Sequence, residues 1–279
     1  MNRKTFKILG VKVDEISLLD AEIKVKSLVE SSQKSIVTTI NTEFVMRAQN
    51  DRQFRDILNN KSQLNLPDSF GMLWAGYFLS LKSPKNKYVR FFYLILLWKL
   101  SILFMPIMPR AFKTPIKEKI SGSDFIWSIA KIAANNKYKL FLFGGAATVA
   151  ERAALKLQTD IYELRVAGVY PGDMTKPTGE IIEAVNRSRA DILLVCLGAP
   201  LQEKWLTENL SKTVCKVGIG LGGTFDFTAE IIPRAPYWMQ RSGLEWLFRL
   251  LTDPKRFKRQ LALPRFMFKI LTSKLSEKA

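Results

Sequence analysis

The feature that most constrains the fold of this chain is a repeated rhythm. Short β-branched or apolar runs end in glycine or polar residues, and each gives way to a stretch with helical spacing. Residues 35–41 (SIVTTIN) form the first such run, followed by helical spacing over 43–59. Residues 62–66 make a weaker strand candidate that ends at Pro67-Asp68. Further strand candidates lie at 138–143, 163–169, 191–197 and 214–220, with helices through 157, near 179–187 and from Gln202. Ser123 is placed to cap a helix over 124–135. Alternation at this spacing predicts a parallel sheet with helices on both faces, a doubly wound (Rossmann-like) α/β fold. The 279 residues, 47% of them hydrophobic, suffice for one large domain or a domain with an appendage. We read a main domain over 1–240, with an apolar insertion near 78–115, and a basic helical appendage over 241–279.

The net charge of +18 is unevenly placed. Residues 78–120 hold nine Lys/Arg and one acid, and residues 231–279 hold eleven Lys/Arg and three acids, so the rest of the chain is nearly neutral. A neutral body with two basic segments predicts a docking surface for something anionic. The run over 91–109 is almost long enough to span a bilayer, but Lys99 sits inside it and Pro106 and Pro109 interrupt its end. An interfacial helix or shallow hairpin is expected there. In the tail, Asp253-Pro254 and Pro264 should separate three short amphipathic helices carrying Phe257, Phe266 and Phe268 beside Arg and Lys. Basic and aromatic residues together suit an anionic membrane surface. A solvated basic face packed on the body is the plainer alternative. No nucleic-acid-binding motif accompanies the charge, so a nucleic-acid partner is not expected.

There is no histidine, which removes His-based general bases, Ser-His and Cys-His nucleophile systems and imidazole-containing zinc sites. Cys196 and Cys215 lie in apolar runs and read as buried thiols of a reducing compartment. The N-terminal residues lack an uninterrupted apolar core, so no secretory signal is expected. A cytoplasmic location, peripheral on the cytosolic face of the membrane, follows as the expectation.

In open α/β sheets ligands bind beyond the carboxyl ends of the strands. Those ends hold the glycine and polar clusters: Thr39 to Asn41, Asp68, Gly144-Gly145, Tyr170 to Gly172, Gly198 to Glu203, and Gly222-Gly223 to Asp226. Gly144-Gly145 before a helix can offer backbone N–H groups to a phosphate, or can simply serve turn geometry. The pair does not form GxGxxG, which argues against a nicotinamide dinucleotide. Asp68 can cap the helix that follows or act as a general base toward a hydroxyl. Gln202 can hold a sugar hydroxyl or phosphate oxygen, and Glu203 can complement a helix dipole. No carboxylate cluster has metal-ligand spacing, so no metal or other cofactor is expected. A diphosphate leaving group would then need helix N-termini and Lys/Arg.

These residues resemble a known family. Thr39-x-Asn41, Pro67-Asp68-Ser-x-Gly71, Gly122-Ser-Asp124, Phe143-Gly-Gly145, Gly172, DILLVCLGAPLQEKW, GGTFDFTAE, the RAP at 234–236, GLEWLFRL and Pro254-x-Arg256 together are similar to the WecG/TagA/CpsF glycosyltransferases, from about residue 6 to 260. The resemblance implies inverting, metal-independent transfer of a sugar from a UDP-sugar donor to a polyprenyl-diphosphate-linked acceptor sugar. The donor sugar would be N-acetylmannosamine or its uronic acid. The product would feed teichoic acid, common antigen, capsule or exopolysaccharide synthesis. It implies Asp68 as catalytic base, with Thr39, Asn41 and Gln202 on the donor sugar or its diphosphate. Gly145, Tyr170, Gly223 and Asp226 would line the nucleotide pocket, and Arg249 and Arg256 would cover the site. Gly144, Glu203 and Gly222 complete the expected binding set. Lys119 stands where the family usually carries Arg; it keeps the charge but cannot make a forked contact with phosphate. The insertion before it, of apolar and basic residues, departs from the family's usual short link. Two rival readings follow from the residues: a non-catalytic nucleotide-sugar-binding module that recruits partners to a membrane, and an NAD(P)-dependent Rossmann enzyme. Apolar surface on the insertion could also serve a homo-oligomer.

Overall fold

A computed structural model describes residues 3–254 and 257–277. Strands β1 (Thr5–Ile8) and β2 (Val11–Asp14) form an antiparallel hairpin. The remaining six strands are β3 (Ser35–Ile40), β4 (Ser62–Pro67), β5 (Lys139–Gly144), β6 (Arg165–Tyr170), β7 (Ile192–Cys196) and β8 (Val217–Gly220). They form one parallel sheet in the order β4-β3-β8-β7-β5-β6. All six were legible as strand candidates, and the doubly wound α/β class stands.

Each strand's alternate residues feed opposite layers, which is why the interior strands read as unbroken apolar runs. Leu140 and Leu142 of β5 face a core shared with the helices Leu18–Glu30, Gly122–Asn136 and Val149–Asp160. Phe141 and Phe143 face a second core with the helices Thr178–Ser188 and Leu201–Asn209. A third core gathers the hairpin, the helices Thr42–Ala48 and Phe70–Ser80, the insertion helix Lys87–Phe104 and the C-terminal helix Ala262–Ser276. The hairpin also guards the edge strand: the buried Asp14 carboxylate accepts the Asn65 backbone N–H of β4 at 2.6 Å.

Several boundaries differ from the sequence reading for identifiable reasons. The single helix expected over 43–59 breaks after Ala48, because Asp51 accepts the Phe54 N–H at 2.9 Å and starts the new helix Arg52–Asp56. Ser123 is not the cap of its helix. The capping position is Ser121, and Ser123 lies buried in the first turn of Gly122–Asn136. Pro264 does not break the tail where expected. It falls in the first turn of Ala262–Ser276, where backbone N–H groups have no intrahelical acceptor to lose. The apolar run becomes the helix Lys87–Phe104, opened by Asn86, whose Oδ1 accepts from the Tyr88 and Val89 N–H groups. Among the described residues no helix is long and apolar enough to cross a membrane.

Candidate active site

At the carboxyl ends of the sheet strands two cavities meet. One, about 310 Å³, is lined by Thr39, Gly145, Gly198, Gly222, Gly223 and Asp226, among others. The other, about 570 Å³, is lined by Ser69, Lys119 and Ser121 on one side and by Ile102, Leu263 and Met267 on another. Asn41, Glu43, Asp68, Arg249 and Arg259 border both. A polar crevice and a largely apolar chamber therefore share one wall, and Asp68 stands in it.

The position of Asp68 is set by the backbone on both sides. It follows the last residue of β4, and its N–H donates to Ile40 O of neighbouring β3 at 2.8 Å. The side chain does not cap the helix after it, where Ser69 occupies the capping position. Instead, Asp68 Oδ1 accepts the Gly122 N–H at 3.2 Å, from the first residue of a fifteen-residue helix. A side chain at Gly122 would approach Thr224 Oγ1 to 3.0 Å and Leu221 O to 3.2 Å, so the missing Cβ is what permits this approach. Burial pushes the Asp68 carboxyl up to about 7, opposed by the positive charges of Lys119 and Arg249 and reinforced by Glu245. A carboxylate at that value is suited to proton abstraction near neutrality.

The cations beside it are held by one another's partners. Glu245 receives Arg249 Nη2 at 2.7 Å, with Arg234 Nε at 3.8 Å and Lys119 Nζ at 3.9 Å. Lys119 also lies over the Phe70 ring and Arg249 over the Phe227 ring, 5.1 and 4.5 Å from the centroids. Arg259 pairs with Glu43 at 2.9 Å. Glu245, Arg234, Glu43 and the Ser69 hydroxyl, which has no hydrogen-bond partner among the described residues, were given no role from sequence, although Arg234 and Ser69 stand in motifs that carry the family resemblance. Glu245 sits inside the GLEWLFRL motif, but its pairing with Lys119 spans a sequence distance that no local pattern reveals.

Among the other expected binding residues, Thr39 lines the polar crevice and donates to Gly220 O at 3.1 Å. Asn41 borders both cavities while its Oδ1 caps the helix Thr42–Ala48 through the Glu43 and Phe44 N–H groups. Gly222, Gly223 and Asp226 line the crevice. Three expectations change. Gln202 is fully buried: its Oε1 accepts the N–H groups of Gly198 and Gly222 at 3.2 and 3.0 Å, and its Nε2 donates to Glu203 Oε1 at 2.6 Å. It staples two glycine loops together instead of reaching into the crevice. Glu203 is also fully buried, and desolvation raises its carboxyl to about 7, so it does not act as an exposed charge on a helix dipole. Of the two readings of Gly144-Gly145, turn geometry holds for Gly144, where a Cβ would collide with the Cys196 backbone, while Gly145 lines the polar crevice with its N–H donating to Cys196 O at 3.1 Å. Its helix begins only at Val149. Tyr170 borders neither cavity and packs edge-on against Phe143. Arg256 lies outside the described residues. No group of three or more His, Cys, Asp or Glu side chains among the described residues could hold a metal ion.

Comparison with known proteins shows the family of the chain. A model of the glycosyl transferase WecG/TagA/CpsF family matches residues 6–100 and 104–279. The chain belongs to that family. Two relatives are each named N-acetylglucosaminyldiphosphoundecaprenol N-acetyl-beta-D-mannosaminyltransferase. The one from Bacillus subtilis (strain 168) is 26% identical over 91% of this chain and 85% of its own length. The one from Staphylococcus aureus (strain MRSA252) is 26% identical over 96% of this chain and 92% of its own length. This glycosyltransferase is thus an enzyme, which sets aside the purely recruiting module and the nicotinamide reading.

Proposed function

We propose that this glycosyltransferase moves a sugar, N-acetylmannosamine or its uronic acid, from a UDP-sugar to a sugar carried on a polyprenyl diphosphate. The relatives' names supply the acceptor class and the transferred sugar. The placement of Asp68 where a polar, glycine-lined crevice opens onto an apolar chamber is the observation that carries the reading. The crevice takes the nucleotide-sugar and the chamber takes the lipid-linked acceptor.

In this mechanism Asp68 Oδ1 stays anchored on the Gly122 N–H and Oδ2 takes the proton from the acceptor hydroxyl. The hydroxyl oxygen attacks the anomeric carbon from the face opposite UDP, the bond from that carbon to the diphosphate oxygen breaks, and the configuration inverts. The electron pair leaves on UDP. Lys119, Arg249 and Arg259 border the reacting region and supply positive charge to the departing diphosphate.

Asp68→Asn tests the assignment. UDP release with donor and a short-chain diphospholipid acceptor should fall by about 10²–10⁴-fold, the usual range for a general base, while UDP affinity measured by calorimetry holds. Wild-type turnover in a folded Asp68→Asn protein would remove the base from the mechanism.

A further inference from the structure

The helix Lys87–Phe104 has two apolar faces, and the protein covers only one. The inner face carries Arg90, Leu94 and Ser101, all buried, and polar contacts fasten it to the body. Trp98 Nε1 donates to Met267 O at 3.0 Å, Trp74 Nε1 donates to Ser101 Oγ at 2.9 Å, and the Arg90 guanidinium donates to Lys274 O. The outer face is a ridge at i, i+4 spacing: Tyr88, Phe92, Leu96, Leu100 and Phe104 are 77, 70, 57, 39 and 45% exposed. Beyond the helix end the apolar surface continues in Ile107 and Met108. A firmly held helix that presents such a ridge leaves a contiguous apolar patch to be covered.

We propose that this face lies in the plane of an anionic lipid bilayer and seats the enzyme there. Charge chooses lipid over a second copy of the chain. No Asp or Glu occurs between Asp68 and Glu118, while exposed Lys82, Lys85 and Lys87 lead into the helix and Lys99 lies along it. Two copies meeting through this face would set like charges against one another, whereas anionic head groups neutralise them and the lysine stems reach out to them. The helix spans about 27 Å at 1.5 Å per residue and does not cross, so it lies flat. Continuity chooses the orientation. Ile102, Met105 and Pro106, at the helix end, form part of the wall of the apolar chamber that reaches Asp68. Seated this way, the chamber meets the acyl boundary, and a polyprenyl chain stays in lipid while its diphosphate sugar reaches the base. This last step rests on the acceptor reading above.

The test uses the full chain with a Leu96→Cys substitution carrying a polarity-sensitive fluorophore, Cys196 and Cys215 being buried and shielded from the label. Vesicles of phosphatidylcholine containing phosphatidylglycerol should shift its emission to the blue, and phosphatidylcholine alone should shift it less. The Phe92→Glu/Leu96→Glu variant should float with anionic vesicles at least about tenfold less than wild type, yet release UDP at the wild-type rate with a water-soluble acceptor. An unshifted label, or a double variant that floats like wild type, overturns the proposal. A label shifted without vesicles, in step with a concentration-dependent dimer, overturns it in favour of a second copy. Absence of UDP release from any donor, with the label still entering vesicles, leaves the surface standing and sinks the acceptor reading instead.

Discussion

Asp68 and Glu203 both keep their protons to about pH 7, and the two consequences can be read separately. Asp68 must be ionised to accept a proton, so kcat/KM for the wild type should rise with pH through a point near 7. A profile flat from about pH 5 to 8 would exclude it as the base. For stability the sign runs the other way. A carboxyl whose value is higher in the folded protein than in the unfolded chain releases its proton first on unfolding, so stability falls as pH rises from the ordinary carboxyl range toward 7. Glu203→Gln removes this penalty at a position with no proton-transfer role. Its melting temperature relative to wild type should therefore increase between pH about 5 and 8. Glu203→Ala should instead loosen Gln202 and weaken UDP binding, raising KM more than it lowers kcat. These roles divide cleanly in legibility. The placement of Asp68 in the cavity wall was readable because it directly follows a strand candidate, at the end of the sheet where ligands bind. The inward turn of Gln202 was not, because its partners Gly198 and Gly222 follow different strands that only the folded sheet brings together.

At the level of elements, the six sheet strands declared themselves through composition and through the glycines at their ends. What escaped was the use to which each helix end is put. The helix Gly122–Asn136 directs its first N–H at Asp68, a relation between residues more than fifty positions apart. Gly122→Ala should push that turn away, since its Cβ meets Thr224 Oγ1 and Leu221 O within 3.2 Å. We expect kcat to fall about tenfold with folding intact, checked by steady-state UDP release and circular dichroism. The Gly144-Gly145 pair had two readings in the sequence, and its backbone contacts with β7 and with Gly172 support the turn reading while Gly145 still lines the crevice. Local sequence shows which backbone can bend, and only the neighbouring strand shows what the bend is for.

For the molecule as a whole, the positive charge is spread over side chains from distant segments that converge on one region: Lys119, Arg249 and Arg259 all border the apolar chamber. If these groups carry the diphosphate, transfer should persist in excess EDTA, and a more than tenfold loss that magnesium restores would refute their sufficiency. The convergence was invisible in the linear charge map, which showed two basic segments but not that both reach one carboxylate, Glu245. The shared wall between the two cavities has a consequence for kinetics. Asn41, Glu43, Asp68, Arg249 and Arg259 border both compartments, so, with the two substrates seated as proposed, whichever arrives first alters the field and side-chain freedom its companion will meet. Thermodynamic reciprocity makes that influence equal in both directions, so the two binding events form a coupled pair and each apparent affinity depends on how full the other compartment is.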